Sequence, residues 1–332
     1  MSHCLLKTTQ LNSKLLALAL AIAPVYAAVT DSKLQLADEI TVSGLSSGAY
    51  MAVQFHVAFS TQVKGAALIA GGPLYCAQNS LATALTHCLG KENANPDLNS
   101  INTYVNELVQ AQRLPDLAQL HDDKVWILHG HADTTVKPEV GKALVSQYQQ
   151  WVKPANLKFV ADKPFAHHFP TDNNTGTACD VSEPPFIASC NYDAAGELLQ
   201  HLLGPIAPKV DSSTGNIRQL TQSQAGSLLA KTGFAYVPKR CEAGEPCRLH
   251  ISFHGCKQHV AAVDDAYLTQ TGLNEYADSN DLVILYPQAA ASAFNPHGCW
   301  DWWGYTGDDY ISKQAPQLQA VMLLVEQLMA KH

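Results

Sequence analysis

The sequence predicts an α/β fold in which a mostly parallel sheet carries helices on both faces. Short buried runs of apolar residues alternate along the chain with segments of helical periodicity, which is typical of such sheets. Of the 332 residues, 47% are hydrophobic and 15% are charged, so the chain can bury a large core and is not intrinsically disordered. The formal net charge of −8 argues against a generic nucleic-acid-binding protein, because an acidic chain repels phosphate backbones.

The predicted elements follow one another in a regular order. The predicted strands are residues 40–42, 65–70, 125–128, 157–161, 234–237, 249–253 and 282–286. The predicted helices are residues 49–59, 138–152, 193–203, 264–278 and 318–329. The segment 204–232 is rich in Pro, Ser, Gln and Gly, and we interpret it as a less regular connection between two parts of one sheet.

The first 27 residues have the pattern of a secretory signal peptide. Two lysines precede a short apolar run over residues 15–23, and small residues follow at Ala27 and Ala28. The apolar run is about half as long as a membrane span requires. We therefore expect cleavage after Ala27 or Ala28, an exported monomer with no membrane span, and a single domain over residues 28–332.

Eight cysteines remain after the predicted leader, and an even number in an exported protein indicates disulfides. They are Cys76, Cys88, Cys179, Cys190, Cys241, Cys247, Cys256 and Cys299. Short separations favour the pairs 76–88, 179–190 and 241–247, which leaves Cys256 with Cys299. Because no paired C-x-x-C spacing occurs, no metal site is expected.

Residues 44–48 read Gly-Leu-Ser-Ser-Gly and match the G-x-S-x-G pattern. The pattern follows a predicted strand and precedes a predicted helix, which is the context of a nucleophile elbow. A serine presented on such a sharp turn needs strained backbone angles and neighbours without side chains. The alternative is an ordinary Gly/Ser turn, but the flanking elements favour Ser46 as a nucleophile in an α/β-hydrolase fold.

A serine nucleophile needs a histidine base, which a carboxylate orients, and in this fold the chain order is Ser, acid, His. Asp133 follows the predicted strand 125–128 and is therefore the candidate acid. The candidate bases are His167 and His168, and spacing does not choose between them. His129 and His131 could be metal ligands, but no carboxylate or cysteine has suitable spacing.

The oxyanion-binding loop is expected upstream of the elbow, but too few residues precede Ser46 to hold it. A strand ending in His-Gly-Cys occurs instead at residues 254–256. This order predicts a circularly permuted α/β-hydrolase sheet, with residues 204–232 joining the original ends. The predicted oxyanion donors are the backbone N–H groups of Ser47 and Cys256.

Several of these motifs together resemble a known family. Residues 44–51, 70–76, 254–256 and 298–305 are similar to the corresponding motifs of secreted poly(3-hydroxybutyrate) depolymerases. The resemblance is to the group with a lipase box near the N-terminus and a permuted catalytic domain, and it covers nearly the whole chain after the leader. In that family the histidine segment reads His-x-(Met/Phe)-x-Thr, so the resemblance favours His167 as the base.

The resemblance implies ester hydrolysis through an acyl-enzyme, with a polyester or oligoester substrate and no cofactor. Three tryptophans in a Gly/Asp-rich loop, Trp300, Trp302 and Trp303, are candidates for an apolar substrate-facing rim, with the last two favoured. Core packing is the alternative for any one of them. Attachment to a polymer surface would depend on exposed apolar side chains of the catalytic domain.

Two other functions remain open at this point. The same fold could serve a secreted esterase for feruloyl, acetyl or short-chain esters, because pocket shape sets the substrate. A catalytically inactive hydrolase fold used for binding is the alternative from another class. The presence of Ser46, Asp133 and His167 together argues against the inactive form, since a binding protein does not need all three.

Overall fold

The computed structural model describes Met1, residues 34–222 and residues 228–329, and contains a large mixed sheet and a small one. The strands are β1 (Gln35–Leu45), β2 (Val63–Ile69), β3 (Lys124–Leu128), β4 (Leu157–Val160), β5 (Phe169–Thr171), β6 (Thr177–Ala178), β7 (Ile187–Ser189), β8 (Asn216–Thr221), β9 (Thr232–Val237), β10 (Pro246–Phe253) and β11 (Leu282–Tyr286). The large sheet has the order β4-β3-β2-β1-β10-β11-β9-β8, and β5-β7-β6 form the small sheet.

Helices cover both faces of the large sheet. They are α1 (Ser47–Ala58), α2 (Leu81–Thr86), α3 (Leu98–Gln110), α4 (Pro138–Tyr148), α5 (Ala194–Leu203), α6 (Lys239–Glu242), α7 (Val260–Val263), α8 (Ala266–Thr269), α9 (Leu273–Ser279) and α10 (Pro316–Met329). Alternate strand residues enter separate cores: Leu68 packs in the core that includes α1 and α10, whereas Ala67 and Ile69 pack in the one that includes α5 and α9. This two-sided burial is the predicted α/β architecture.

The strand order confirms the circular permutation. Strand β1, which leads into the G-x-S-x-G turn, lies between β2 and the late strand β10, and both pairs are parallel. Read across the sheet from β8, the late strands β8, β9, β11 and β10 come first, and β1 to β4 follow in order. Only β9 runs against its neighbours β11 and β8.

Some elements differ from those predicted. Residues 204–232 are not only an irregular connection, because β8 lies within them at the edge of the sheet. That strand lacks an apolar run, since Arg218 and Leu220 are its buried residues. The helix predicted over 264–278 is divided among shorter helices, and α2 and α3 had no predicted counterpart.

Four disulfides join the same cysteines that the spacing pairs. They are Cys76–Cys88, Cys179–Cys190, Cys241–Cys247 and Cys256–Cys299. Apart from Met1, the predicted signal peptide lies outside the described residues. Among the helices that the structure describes, none has the length and apolar character to cross a membrane.

Candidate active site

Ser46 occupies the tight turn between β1 and α1. Its backbone has φ 57° and ψ −122°, an unusual and strained conformation for a residue with a side chain. A Cβ on Gly44 would lie 2.2 Å from the carbonyl oxygen of Gly48, and one on Gly48 would lie 2.1 Å from that of Phe253. The two glycines therefore permit contacts that bring Ser46 close to β10 at the carboxyl ends of the strands.

Asp133 and His167 meet beyond the carboxyl ends of β3 and β4. The Nδ1 of His167 lies 2.7 Å from Oδ2 of Asp133, and both side chains are buried. The other carboxylate oxygen accepts hydrogen bonds from the amides of Thr135 and Val136 at 2.9 and 3.0 Å. This arrangement turns Nδ1 of the imidazole toward the acid and leaves Nε2 as the nitrogen that can exchange a proton.

The electrostatics favour an ionised Asp133. Burial is the largest single influence and by itself would raise the pKa of this carboxyl, but it is opposed by the charge and hydrogen bond of His167. Weaker contributions from His129 and the Val136 amide act in the same direction, so the pKa of Asp133 is below its ordinary value. A buried carboxylate that stays ionised can orient an imidazole and stabilise its protonated form.

The neighbouring histidines have other partners. His168 donates from Nε2 to the carbonyl oxygen of Cys179 at 2.7 Å, and His129 donates to that of Val136 at 2.9 Å. His131 is exposed. Burial lowers the pKa of both His129 and His168. The hydrogen bonds of His129 and His168 to backbone carbonyls help to fix the loops around the Asp133–His167 pair.

One group of potential metal-ligating side chains occurs within the described part of the chain, and it does not fit a metal. It contains His168, Cys179 and Cys190. The two sulfurs are joined in a disulfide, so they offer no thiolate to an ion.

The two predicted oxyanion donors both belong to segments next to Ser46. Ser47 begins α1, and Cys256 follows Gly255, where an added Cβ would lie 3.6 Å from the Cβ of Ser46. The backbone N–H groups of Ser47 and Cys256 donate no hydrogen bond within residues 34–222 and 228–329. Both amides therefore remain available to a ligand.

The loop that carries Cys256 is braced by buried side chains. His254 donates from Nδ1 to the carbonyl of Gly255 at 2.7 Å and accepts at Nε2 from the Ala289 amide at 3.1 Å. Burial lowers the pKa of His254 to about 3, so the imidazole stays neutral at neutral pH. The side chain of Gln258 accepts from the Gly255 amide at 2.7 Å. Such bracing holds the loop around Cys256 in one conformation.

Ser46, His167 and Cys256 line one cavity of about 630 Å³. Most of its remaining walls are apolar or aromatic, including Trp302 and Trp303. Trp302 stacks on Tyr50, with 5.0 Å between ring centroids, and Trp303 is only half-buried. The cavity therefore brings the candidate reactive side chains together with two of the three predicted tryptophans.

Trp300 is the exception and corrects the prediction for that residue. Its side chain is fully buried, and it does not line the cavity. The indole N–H donates to the carbonyl of His254 at 2.9 Å, and the ring packs edge-on against Phe253. Trp300 is therefore a core residue that packs against the loop at His254. Core packing was the alternative considered for each tryptophan, and it holds for this one.

Several lining residues escaped the sequence reasoning. Leu81 and Leu85 belong to α2, a short helix with no strong periodic pattern, and Phe294 lies in a loop. All three are exposed large hydrophobic side chains, with Phe294 at 87% relative exposure. The sequence alone does not distinguish exposed apolar side chains from core residues. The one available signal was the Cys76–Cys88 pair, which flanks α2 and marks it as a constrained segment.

The permuted sheet and the serine presented at its central turn define the class of this protein, a member of the α/β-hydrolase fold. No protein-family model matches the sequence. A poly(3-hydroxybutyrate) depolymerase from Delftia acidovorans is 39% identical over 315 residues, covering 92% of this chain. A polyhydroxybutyrate depolymerase from Talaromyces funiculosus is 34% identical over 313 residues, covering 88% of this chain and 90% of that protein. The chain belongs to the poly(3-hydroxybutyrate) depolymerase family.

Solved structures agree with this assignment. The crystal structure of a PHB depolymerase from Penicillium funiculosum matches with a TM-score of 0.83 at 32% identity, covering 90% of this chain and 98% of that one. A PHB depolymerase variant complexed with an R3HB trimer matches with a TM-score of 0.84 at 31% identity and the same coverage. The chain spans 63% of the length of the Delftia relative.

Proposed function

We propose that this protein hydrolyses the ester bonds of poly(3-hydroxybutyrate) and its oligomers. The observation that carries the proposal is the convergence of Ser46 and the Asp133-bonded His167 on one largely apolar cavity. A cavity of that character suits a chain of neutral, methyl-bearing ester units. The similarity to two poly(3-hydroxybutyrate) depolymerases supports the same substrate class. The similar solved structure that contains an R3HB trimer supports it as well.

In the proposed mechanism, the Ser46 hydroxyl attacks the ester carbonyl while Nε2 of His167 takes its proton. Asp133 holds the imidazole through Nδ1 and stabilises the positive charge that forms. The tetrahedral oxyanion accepts hydrogen bonds from the N–H groups of Ser47 and Cys256. His167 then returns the proton to the leaving alkoxide, and a water molecule deacylates Ser46 by the reverse sequence.

Substrate contact is assigned to the apolar walls of the cavity. Trp302 and Trp303 form one wall beside the reacting groups. The exposed side chains of Leu81, Leu85 and Phe294 extend this wall to the surface. We assign to this apolar rim the attachment of the enzyme to a water-insoluble polymer, since burial of each large side chain against the polymer is favourable.

We propose that the protein acts outside the cytoplasm, as a single catalytic domain over residues 28–332 and as a monomer. Four disulfides support an oxidising compartment, because cytosolic thiols are kept reduced. Residues 1–27 would direct export and be removed. The N-terminal residue of protein recovered from the medium or periplasm tests this, and the expected residue is Ala28 or Val29.

The test of function compares wild type with Ser46→Ala on a suspension of poly(3-hydroxybutyrate), with released 3-hydroxybutyrate and its oligomers measured by chromatography. Loss of the nucleophile should reduce turnover by about 10⁶-fold, as in other serine hydrolases. Ser146→Ala, at an exposed serine on α4, is the matched control and should behave as wild type. Hydrolysis of soluble feruloyl or short-chain esters without release from the polymer would contradict the proposed substrate. Failure of Ser46 to react with a fluorophosphonate would contradict the mechanism.

A further inference from the structure

The cavity has an unusual distribution of charge. Among the described residues that line it, none is Asp or Glu, although the chain carries 29 acidic residues against 21 Lys and Arg. Its permanently charged group is Lys257, and the imidazoles of His167 and His297 are the remaining basic groups of the lining. The cavity is therefore apolar with one cation at its mouth, in a protein whose overall charge is negative.

The backbone of Lys257 is held in place beside the reacting groups. It directly follows Cys256, the candidate oxyanion donor, and has φ 57°, a left-handed conformation that a residue with a side chain seldom adopts. Its N–H donates to the carbonyl of His297 at 2.7 Å, and the Cys256–Cys299 disulfide ties together the two segments that carry these residues. The origin of the lysine side chain is therefore fixed near the carbonyl under attack.

The ammonium group of Lys257 has no counterion in the part of the chain that the structure describes. Other surface lysines do: Lys158 contacts Glu197 at 2.6 Å, and Lys209 contacts both Asp172 and Asp193. An exposed lysine without a carboxylate, at the mouth of a cavity without carboxylates, can accept an anion from the ligand.

We propose that Lys257 is a specificity-determining residue that binds the free terminal carboxylate of a 3-hydroxybutyrate oligomer. This inference rests on the proposed function. The ester units along such an oligomer are neutral, and its one anionic group is the carboxylate at the end of the leaving half. Capture of that group beside the oxyanion loop favours cleavage of an ester bond near the carboxyl end. Soluble oligoesters with a free acid end are then preferred over the same oligoesters with that end blocked.

The experiment compares the 3-hydroxybutyrate trimer as a free acid with its methyl ester, which removes the charge and keeps the ester units. At low ionic strength the wild type should have a KM about two- to five-fold lower for the acid, the range of exposed ion pairs. The difference should shrink as sodium chloride is added. Lys257→Gln should bring the two KM values together, whereas Lys257→Arg should keep the preference.

Lys239→Gln is the matched control, because it removes the same charge from an exposed position on α6, and it should retain the preference. Equal KM values for acid and ester in the wild type, or a preference that persists in Lys257→Gln, would overturn the proposal. If a p-nitrophenyl ester is hydrolysed but neither trimer is, the proposed function fails instead. The carboxylate site is then judged by inhibition of that hydrolysis by the 3-hydroxybutyrate dimer, which should weaken in Lys257→Gln and not in Lys239→Gln.

Discussion

At the scale of single residues, the turn around Ser46 shows how local strain is stabilised by neighbouring elements. The left-handed backbone of Ser46 is unfavourable in isolation. It is retained because its amide donates to the carbonyl of Ile69 in β2 at 2.9 Å, while Gly48 packs against the backbone of Phe253 in β10. Contacts with the neighbouring strands β2 and β10 therefore offset the strain and hold Ser46 at the carboxyl ends of the central strands.

The orienting role proposed for Asp133 gives a prediction at the same scale. Asp133→Asn keeps the shape of the side chain but removes the charge that stabilises a protonated His167 and favours the wrong tautomer. We expect kcat on a soluble 3-hydroxybutyrate oligomer to fall by about 10⁴-fold, with a much smaller change in KM. Steady-state kinetics check this, and Asp122→Asn, an exposed residue before β3, is the control. A loss below tenfold would refute the assigned role.

The sequence indicated which residues are candidates for the site, but not which residues they contact in the folded protein. Motif context pointed to Ser46 and Asp133 as candidates, because each follows a buried strand. The spacing of His167 and His168 was not enough, since adjacent residues point to different sides and contact Asp133 and Cys179 respectively. Trp300 was misplaced for the same reason: its burial depends on Phe253, which is distant in sequence.

At the scale of elements, the loop after β10 depends on contacts with distant parts of the chain. The Cys256–Cys299 disulfide connects it to the segment that carries the tryptophans. Gln258 connects it to the carbonyls of Pro185 and Phe186 next to the small sheet. Two distant segments thus determine where the Cys256 amide lies, and neither is adjacent in sequence to Ser46.

A double variant tests the disulfide of this loop. Cys256→Ser/Cys299→Ser should lose about 4 kcal/mol of unfolding free energy, because the bond closes a long loop. Displacement of the Cys256 amide, the proposed oxyanion donor, should lower kcat by about 10²- to 10³-fold. Urea unfolding and oligomer kinetics measure the two effects.

The matched control is Cys241→Ser/Cys247→Ser. That bond closes a short loop at the start of β10, the end of the strand opposite the Cys256 loop, so about 2 kcal/mol should be lost with kcat unchanged. Equal kcat in the two double variants would show that the Cys256–Cys299 bond is not needed to place the donor.

Elements with a clear apolar pattern were predictable, and the peripheral ones were not. The strands of the sheet centre were found because both of their faces are buried, as in β11, whose five residues are all buried. Strand β8 was missed because it lies at an edge and alternates exposed polar residues with few buried ones. Helix α2 was missed because Ala84 is its one buried residue.

At the scale of the whole molecule, the permuted sheet buries histidines as neutral polar groups at its centre. His250 of β10 lies 2.8 Å from the hydroxyl oxygens of both Thr41 and Ser43 in β1. His254, directly after the same strand, braces the loop that carries Cys256. Burial lowers the pKa of each imidazole to about 3. Both are therefore uncharged in the folded protein down to acidic pH.

This burial predicts that the fold loses stability in acid. Between pH 6.5 and 3 the unfolded chain protonates these histidines while the folded protein does not, so the unfolded state binds more protons and stability falls as pH falls. Each histidine should contribute a loss of about 2 kcal/mol between pH 7 and pH 5. Urea unfolding at both pH values measures the loss.

The variant His250→Gln tests whether this buried histidine is responsible. It should be less stable than wild type at pH 7 but lose about 2 kcal/mol less on going to pH 5. The control is His131→Gln, at an exposed histidine. Identical pH dependence of wild type and His250→Gln would contradict the prediction. Should His250→Gln fail to fold, an NMR titration of the wild type decides, since two imidazoles must stay unprotonated at pH 4.5.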